Sequence, residues 1–316
     1  MRDSRTSAIL NLTLGIVSAA MAVSCFFLPE ENVPWLSSLL ALLSLAAVAV
    51  SMGILNYSSY LFTSDTKRLF LPYLICVLSV PGIMDAGPFH IAALLTVWTM
   101  FLAAGYINSD RVRMDFAFGS VLIAGAASMA VPCLVYAQIV TVLYCLYVRN
   151  QEPLRYLLSI LAGAGIPWLY VVVWSFIFPG LTDLGAFLGR YAHGMELSLP
   201  SFDGMTLPEM SWAVLLSLLV IRSLVFVIRR RRERNKAQKN AFGLSVALSI
   251  ISLLAAVFCG MLSEPLFIMA AAVPVSFTAF DLFTNGTRVE SGLWITLLLV
   301  LAAAQRVLDF FPGVLS

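Results

Sequence analysis

Two neighbouring carboxylates, Glu30 and Glu31, sit between two long apolar blocks. At a membrane–water boundary such carboxylates can serve as a general base or hold a divalent ion. Asp85, Asp183, Glu196, Asp203, Glu209, Glu264 and Asp309 fall on the same side of the topology derived below. Few cations stand among them, chiefly Arg190 and Arg306, and an arginine in such company can grip a phosphate. Both histidines, His90 and His193, lie on that side too. The competing reading is simple solvation, because acids collect on a face from which cations are excluded.

The opposite side carries the densest charge run, Arg229-Arg230-Arg231-Arg232-Glu233-Arg234-Asn235-Lys236. A cation near a membrane surface attracts anionic head groups by about 1 kcal/mol. Arg229, Arg230, Arg231 and Arg232 are therefore candidate lipid-binding residues, with a topological anchor as the alternative. Nucleic acid is not an expected partner, since a tight loop between two spans offers no folded basic surface. Arg222 lies about 10 Å deeper along its helix than Arg229. It can snorkel to the head groups, or pair with Asp281 near the end of another span. A charge inside a span is a candidate for function. Two histidines in separate loops exclude a multi-histidine metal centre. Cys25, Cys76, Cys133, Cys145 and Cys259 lie in apolar blocks without a CxxC pair, so they read as small apolar side chains rather than a metal site or disulfides. No motif names a cofactor.

The elements that position these groups follow from composition. Of 316 residues, 60% are hydrophobic and 11% charged, against about half and a quarter in soluble domains. The apolar residues form blocks long enough to cross a hydrocarbon core of about 30 Å. The expected fold is all-α, a polytopic transmembrane helical bundle forming a single integral membrane domain. Spans are predicted at 8–28, 35–55, 69–84, 90–107, 116–130, 133–148, 156–178, 211–228, 241–262, 266–283 and 292–308. With the N-terminus in the cytoplasm, 16 of the 19 Lys and Arg fall inside, as the positive-inside rule requires. Phe116–Val148 as one straight helix would run about 50 Å, too long for the bilayer. Cations flank both of its ends, which demands an even number of crossings, so a hairpin turning near Ser128–Pro132 is expected. In the outer loop 179–210, Leu184, Phe187, Leu188 and Tyr191 recur at spacings of three and four, predicting a short amphipathic helix lying on the surface. The loop 229–240 is the basic cytoplasmic one.

The stretch from Phe116 through the small-residue run Ala124-Gly125-Ala126-Ala127-Ser128 to Pro132, on to Arg149, then from Arg155 to Pro167-Trp168, resembles a module of multi-spanning class C membrane glycosyltransferases. The whole chain also resembles an uncharacterised family of bacterial multi-spanning inner-membrane proteins. The first resemblance implies transfer or handling of a sugar on a polyprenyl-phosphate carrier at the outer face. It implies a catalytic acid in the first outer loop, which here is Pro29–Pro34 and offers Glu30 and Glu31. Arg190, His193 and Arg306 would then hold the carrier phosphate and substrate. Two other readings stay open: a non-catalytic subunit or scaffold working with other envelope membrane proteins, and a small-solute transporter lined by Gln138, Ser159, Thr96 and Ser249. All three have membrane lipids as partners.

Overall fold

The computed structural model describes residues 35–58, 67–78, 80, 82–109, 113–149, 153–178, 183–198, 207–261 and 264–310. The expected span 8–28 and the Glu30/Glu31 loop lie outside the described residues. Among those described, the chain is all-α, with eleven helices: α1 (Trp35–Ser58), α2 (Lys67–Leu78), α3 (Pro88–Asn108), α4 (Met114–Ala130), α5 (Val135–Val148), α6 (Pro153–Ile177), α7 (Leu184–Met195), α8 (Leu207–Arg229), α9 (Lys236–Phe258), α10 (Ile268–Asn285) and α11 (Arg288–Phe310). Among the described residues, five stretches are long and apolar enough to cross a membrane: 35–56, 88–108, 153–177, 210–229 and 236–258. Each expected span from 35–55 onward falls on one helix, and α7 is the expected amphipathic segment.

Local sequence sets the boundaries. Pro88 opens α3 directly after Gly87, where a missing N–H costs nothing. Asn235 caps α9 by accepting from the Gln238 N–H at 2.8 Å. Asp183 caps α7 in the same manner, from the Gly185 N–H at 2.8 Å. Pro132 begins a single 3-10 turn, 132–134, that reverses the chain between α4 and α5. One expectation needs correction. The span predicted at 69–84 is helical only to Leu78, and a turn follows in which Gly82 takes φ +71° and the Asp85 N–H donates to Gly82 O at 3.0 Å. The twelve residues of α2 rise about 18 Å, well short of a hydrocarbon core.

Helix α10 is the hub. Every residue from Met269 to Phe283 is buried, and α2, α3, α8 and α9 pack around it. Helix α1 lies outside α3, and α11 joins α2 to α8. Helix α4 packs on α3 and carries α6 on its other flank, while α5 reaches α9. The close approach of α4 and α6 depends on Gly163, where a Cβ would meet Phe118 O at 2.8 Å.

The helix surfaces are as apolar as the interior, which combines small residues with large ones such as Trp212, Tyr106 and Phe277. Interior positions are rich in Ala and Ser, for example Ala270, Ala271, Ala272, Ser245, Ser249 and Ser252. Exposed positions on the long helices carry Leu36, Leu40, Leu43, Leu158, Leu161, Leu169, Leu218 and Ile221. Small interior residues let backbones approach closely, the packing mode available where lipid removes the drive to bury leucine.

Candidate functional site

Helix α7 docks across the α4–α5 turn by its aromatic face. Tyr191 is buried, and its hydroxyl donates to Ser128 Oγ at 3.2 Å. The Tyr191 ring meets Trp168 edge-on with centroids 4.7 Å apart, and Phe187 lies 6.3 Å from the same indole. Gly194 lies against Pro132, close enough that a Cβ would stand 2.9 Å from its ring. The Tyr136 hydroxyl donates to Met195 O at 2.8 Å, and the Ser198 N–H to Phe258 O at 2.7 Å. Together these contacts fix α7 to the turn 132–134, to α6 and to the end of α9.

The opposite face of α7 is polar and exposed. Arg190 points away from the bundle, and His193 Nδ1 stands 3.1 Å from Glu196 Oε2, with both side chains largely in solvent. Arg190 and His193 thus share one helix face. Arg306 belongs to α11, and its side chain lies outside the described residues, as do Glu30 and Glu31. The other histidine is elsewhere and differently employed. His90 is buried at the start of α3, where its Nδ1 accepts from the Gly87 N–H at 3.3 Å and its Nε2 donates to Ile83 O at 2.9 Å. That neutral tautomer ties the Gly82 turn to α3 and leaves neither ring nitrogen for a ligand.

The end of the bundle bearing Arg229–Lys236 is organised by ion pairs. Arg222 donates to Glu290, not to Asp281. Asp281 instead accepts from Arg234, with each side chain 8% exposed, and from Asn285 Nδ2 at 2.8 Å. The pairing expected between Arg222 and Asp281 is corrected accordingly: Arg222 on α8 faces the first turn of α11, and the chain after α8 brings Arg234 over α10. The Arg234 guanidinium also stacks over the Phe242 ring, 4.0 Å from its centroid. Burial lowers its pKa while Asp281 pulls it back up, and an arginine so placed stays charged. Of the candidate lipid-binding run, Arg229, Arg231 and Arg232 are exposed. Arg230 pairs with Glu233 at 2.7 Å and lies over Phe226.

Between the two ends, the candidate pathway hydroxyls are engaged by backbone. Thr96 donates to Ala92 O at 2.7 Å, and Ser249 contacts both Ser245 O at 2.7 Å and Thr278 Oγ1 at 2.8 Å. Gln138 Nε2 donates to Val121 O at 3.2 Å, bracing α5 against α4. Ser159 is exposed on α6 and donates to Arg155 O at 3.0 Å. A cavity of about 10 Å³ beside Ser245, lined by Leu55, Met100 and Phe277, is the size of one water molecule. Among the described residues, no group of three or more metal-ligating side chains comes together. Sequence reasoning missed Glu290 and Arg234 as partners, because nothing local marks which carboxylate a distant arginine will meet. It also missed Arg149, counted only as one more cation, which is buried against the end of α3. No protein-family model, curated protein or solved structure matches the chain.

Proposed function

We propose that the chain is a multi-pass protein of a bacterial inner membrane, with about eleven membrane segments and a cytoplasmic N-terminus, that handles a sugar on a polyprenyl-phosphate carrier at the outer face. The observation that carries this reading is the seating of α7. Its aromatic face binds Ser128, Pro132 and Trp168, all within the stretch that resembles the class C glycosyltransferase module. Its other face holds Arg190 and His193 in solvent at the level of that turn. A guanidinium there stabilises a leaving phosphate electrostatically. Glu30 or Glu31 supplies the base or metal-holding carboxylate, and Arg306 is a second phosphate contact.

The exposed aromatics Tyr170, Trp174 and Phe178, stacked along the end of α6 nearest α7, fit an interfacial aromatic belt at that depth. The test is the profile of lipid-linked glycans in cells carrying Glu30→Gln with Glu31→Gln, and separately Arg190→Ala. Loss of one glycan species with accumulation of its carrier-linked precursor is expected. Wild-type profiles in both variants, at normal protein levels, refute the enzyme reading.

One observation favours a second reading, a structural subunit of an envelope complex. Helix α6 is held to the bundle chiefly through α4 and exposes Leu154, Leu157, Leu158, Leu161, Leu169 and Val173. A stoichiometric partner co-purifying in mild detergent, and lost when those leucines are changed, would support it. The transporter reading draws less support, since Thr96 and Ser249 already spend their hydrogen bonds on neighbouring groups.

A further inference from the structure

Two cysteines far apart in sequence are brought into one small apolar cluster beneath α7. Cys133 is the middle residue of the turn 132–134 and is fully buried. It shares its cluster with Ala255 and Ala256 of α9, and Cys259 and Tyr136 pack on the rim. Cys259 follows the last residue of α9, and its N–H still donates to Ala255 O at 2.9 Å. Residues three and four apart share a helix face, so Cys259 lies on the face that carries Ala255 and Ala256. Gly260 then takes φ +67° and turns the chain away. Cys133 lies within Coulombic reach of Cys259, and the Tyr136 hydroxyl within reach of both thiols.

Both positions are clamped from above. Gly194 of α7 presses on the Pro132 ring, and the Tyr136 hydroxyl donates to Met195 O at 2.8 Å. The Ser198 N–H and Oγ both reach Phe258 O, at 2.7 Å and 3.3 Å, which pins the end of α9 next to Cys259. A disulfide needs Cα atoms about 4.4–6.8 Å apart. The α9 residues packed with Cys133 are alanines, and small side chains of that kind let turn and helix approach closely.

The two thiols differ in access. Cys133 has no exposed surface, whereas Cys259 is only half-buried. An external reagent therefore meets Cys259 first, and Cys133 stands behind it. Cys76 and Cys145 are buried in the other, larger cluster, away from this pair. Disulfides form and persist in oxidising compartments, the bacterial periplasm among them. That is the compartment this end of the bundle faces in the proposed topology.

We propose that Cys133 and Cys259 are an oxidisable dithiol that closes to a disulfide at the outer face, joining the α4–α5 turn to the end of α9 beneath α7. The bond rests on the proposed outward placement of this end and is independent of the sugar-handling reading. Cys259 loses its proton and attacks one sulfur of an external disulfide, carried by a protein or a small oxidised thiol, and expels the other sulfur as a thiolate. Cys133 then loses its proton and attacks the Cys259 sulfur of the mixed disulfide, releasing the second thiolate. Two electrons pass from the pair to the external disulfide, which leaves as two thiols after taking up two protons. The product ties down the seat from which α7 presents Arg190 and His193.

The test has two arms, both on the full chain. In the first, cells are quenched in acid, denatured, alkylated with N-ethylmaleimide and digested without reductant. Mass spectrometry should find a linked peptide containing Cys133 and Cys259 that disappears on reduction. In Cys259→Ala that peptide should be absent and Cys133 alkylated. In the second arm, reduced protein purified in neutral detergent is treated with oxidised glutathione. Loss of two alkylatable thiols is expected, with a rise in the thermal unfolding midpoint that Cys259→Ala does not show. A bond that forms in detergent while both thiols stay free in cells overturns the outward placement, and the proposed state with it. Failure to link in detergent, a glutathione adduct on Cys259 alone, or a different cysteine pair overturns the pairing itself and leaves the sidedness and the sugar-handling reading untouched.

Discussion

Removing the carboxylate of Asp281 leaves a full positive charge stranded beneath the end of the hub helix. Arg234 and Asp281 are each 8% exposed, so water cannot replace the lost partner, and the Phe242 ring offers Arg234 only a weak substitute. Breaking a buried pair from one side costs about 3–5 kcal/mol, because the remaining charge stays desolvated. Asp281→Ala is expected to lose that much. Asp281→Asn keeps one of the two acceptor oxygens, which can still serve Arg234, and should lose less. Arg234→Leu combined with Asp281→Leu removes both charges and should recover most of the loss, as replacement of a buried pair by apolar groups often does. Glu290→Ala gives the internal comparison. Its pair with Arg222 has side chains 34% and 21% exposed, so about 1 kcal/mol is expected. Unfolding in mixed micelles titrated with SDS, followed by tryptophan fluorescence, gives all four values. Asp281→Ala within about 0.5 kcal/mol of wild type would refute the argument, because surface substitutions do no more than that. So would a double variant less stable than Asp281→Ala.

Two further outcomes follow from packing. Gly163→Ala places a methyl against the Phe118 carbonyl, where backbone must shift, and should cost about 1–3 kcal/mol in the same assay; the neighbouring Gly165→Ala meets nothing within 4 Å and should be near neutral. His90→Ala strands the Gly87 N–H and the Ile83 carbonyl and should cost about 1–3 kcal/mol, without changing any outer-face activity of the cell. A glycan defect in His90→Ala at normal protein levels would contradict that structural role.

Much of the helix layout was legible because it rests on periodicity and punctuation. Pro132, with cations at both ends of 116–148, demanded a hairpin, and the 3-10 turn at 132–134 supplies it. The spacing of Leu184, Phe187 and Tyr191 marked α7, whose aromatic side is the side that docks. Partner choice was not legible. Arg234 and Asp281 are 47 residues apart, and only the packing of α9 against α10 brings them together. The sequence placed His90 only on the outer side of the topology, and nothing local marks that two backbone groups hold its ring. Arg149 is similar: as a sequence feature it counts as one cation among sixteen, and its burial depends on where α3 ends.

The sidedness on which the functional reading stands is tested most directly by cysteine accessibility in a variant lacking the five native cysteines. His193→Cys on α7 and Arg232→Cys between α8 and α9 are exposed positions at opposite ends of the bundle. With a membrane-impermeant maleimide on cells whose outer membrane has been permeabilised, Cys at 193 should react at once, and Cys at 232 only after the inner membrane is opened. The reverse pattern, or equal reactivity at both, would contradict the account.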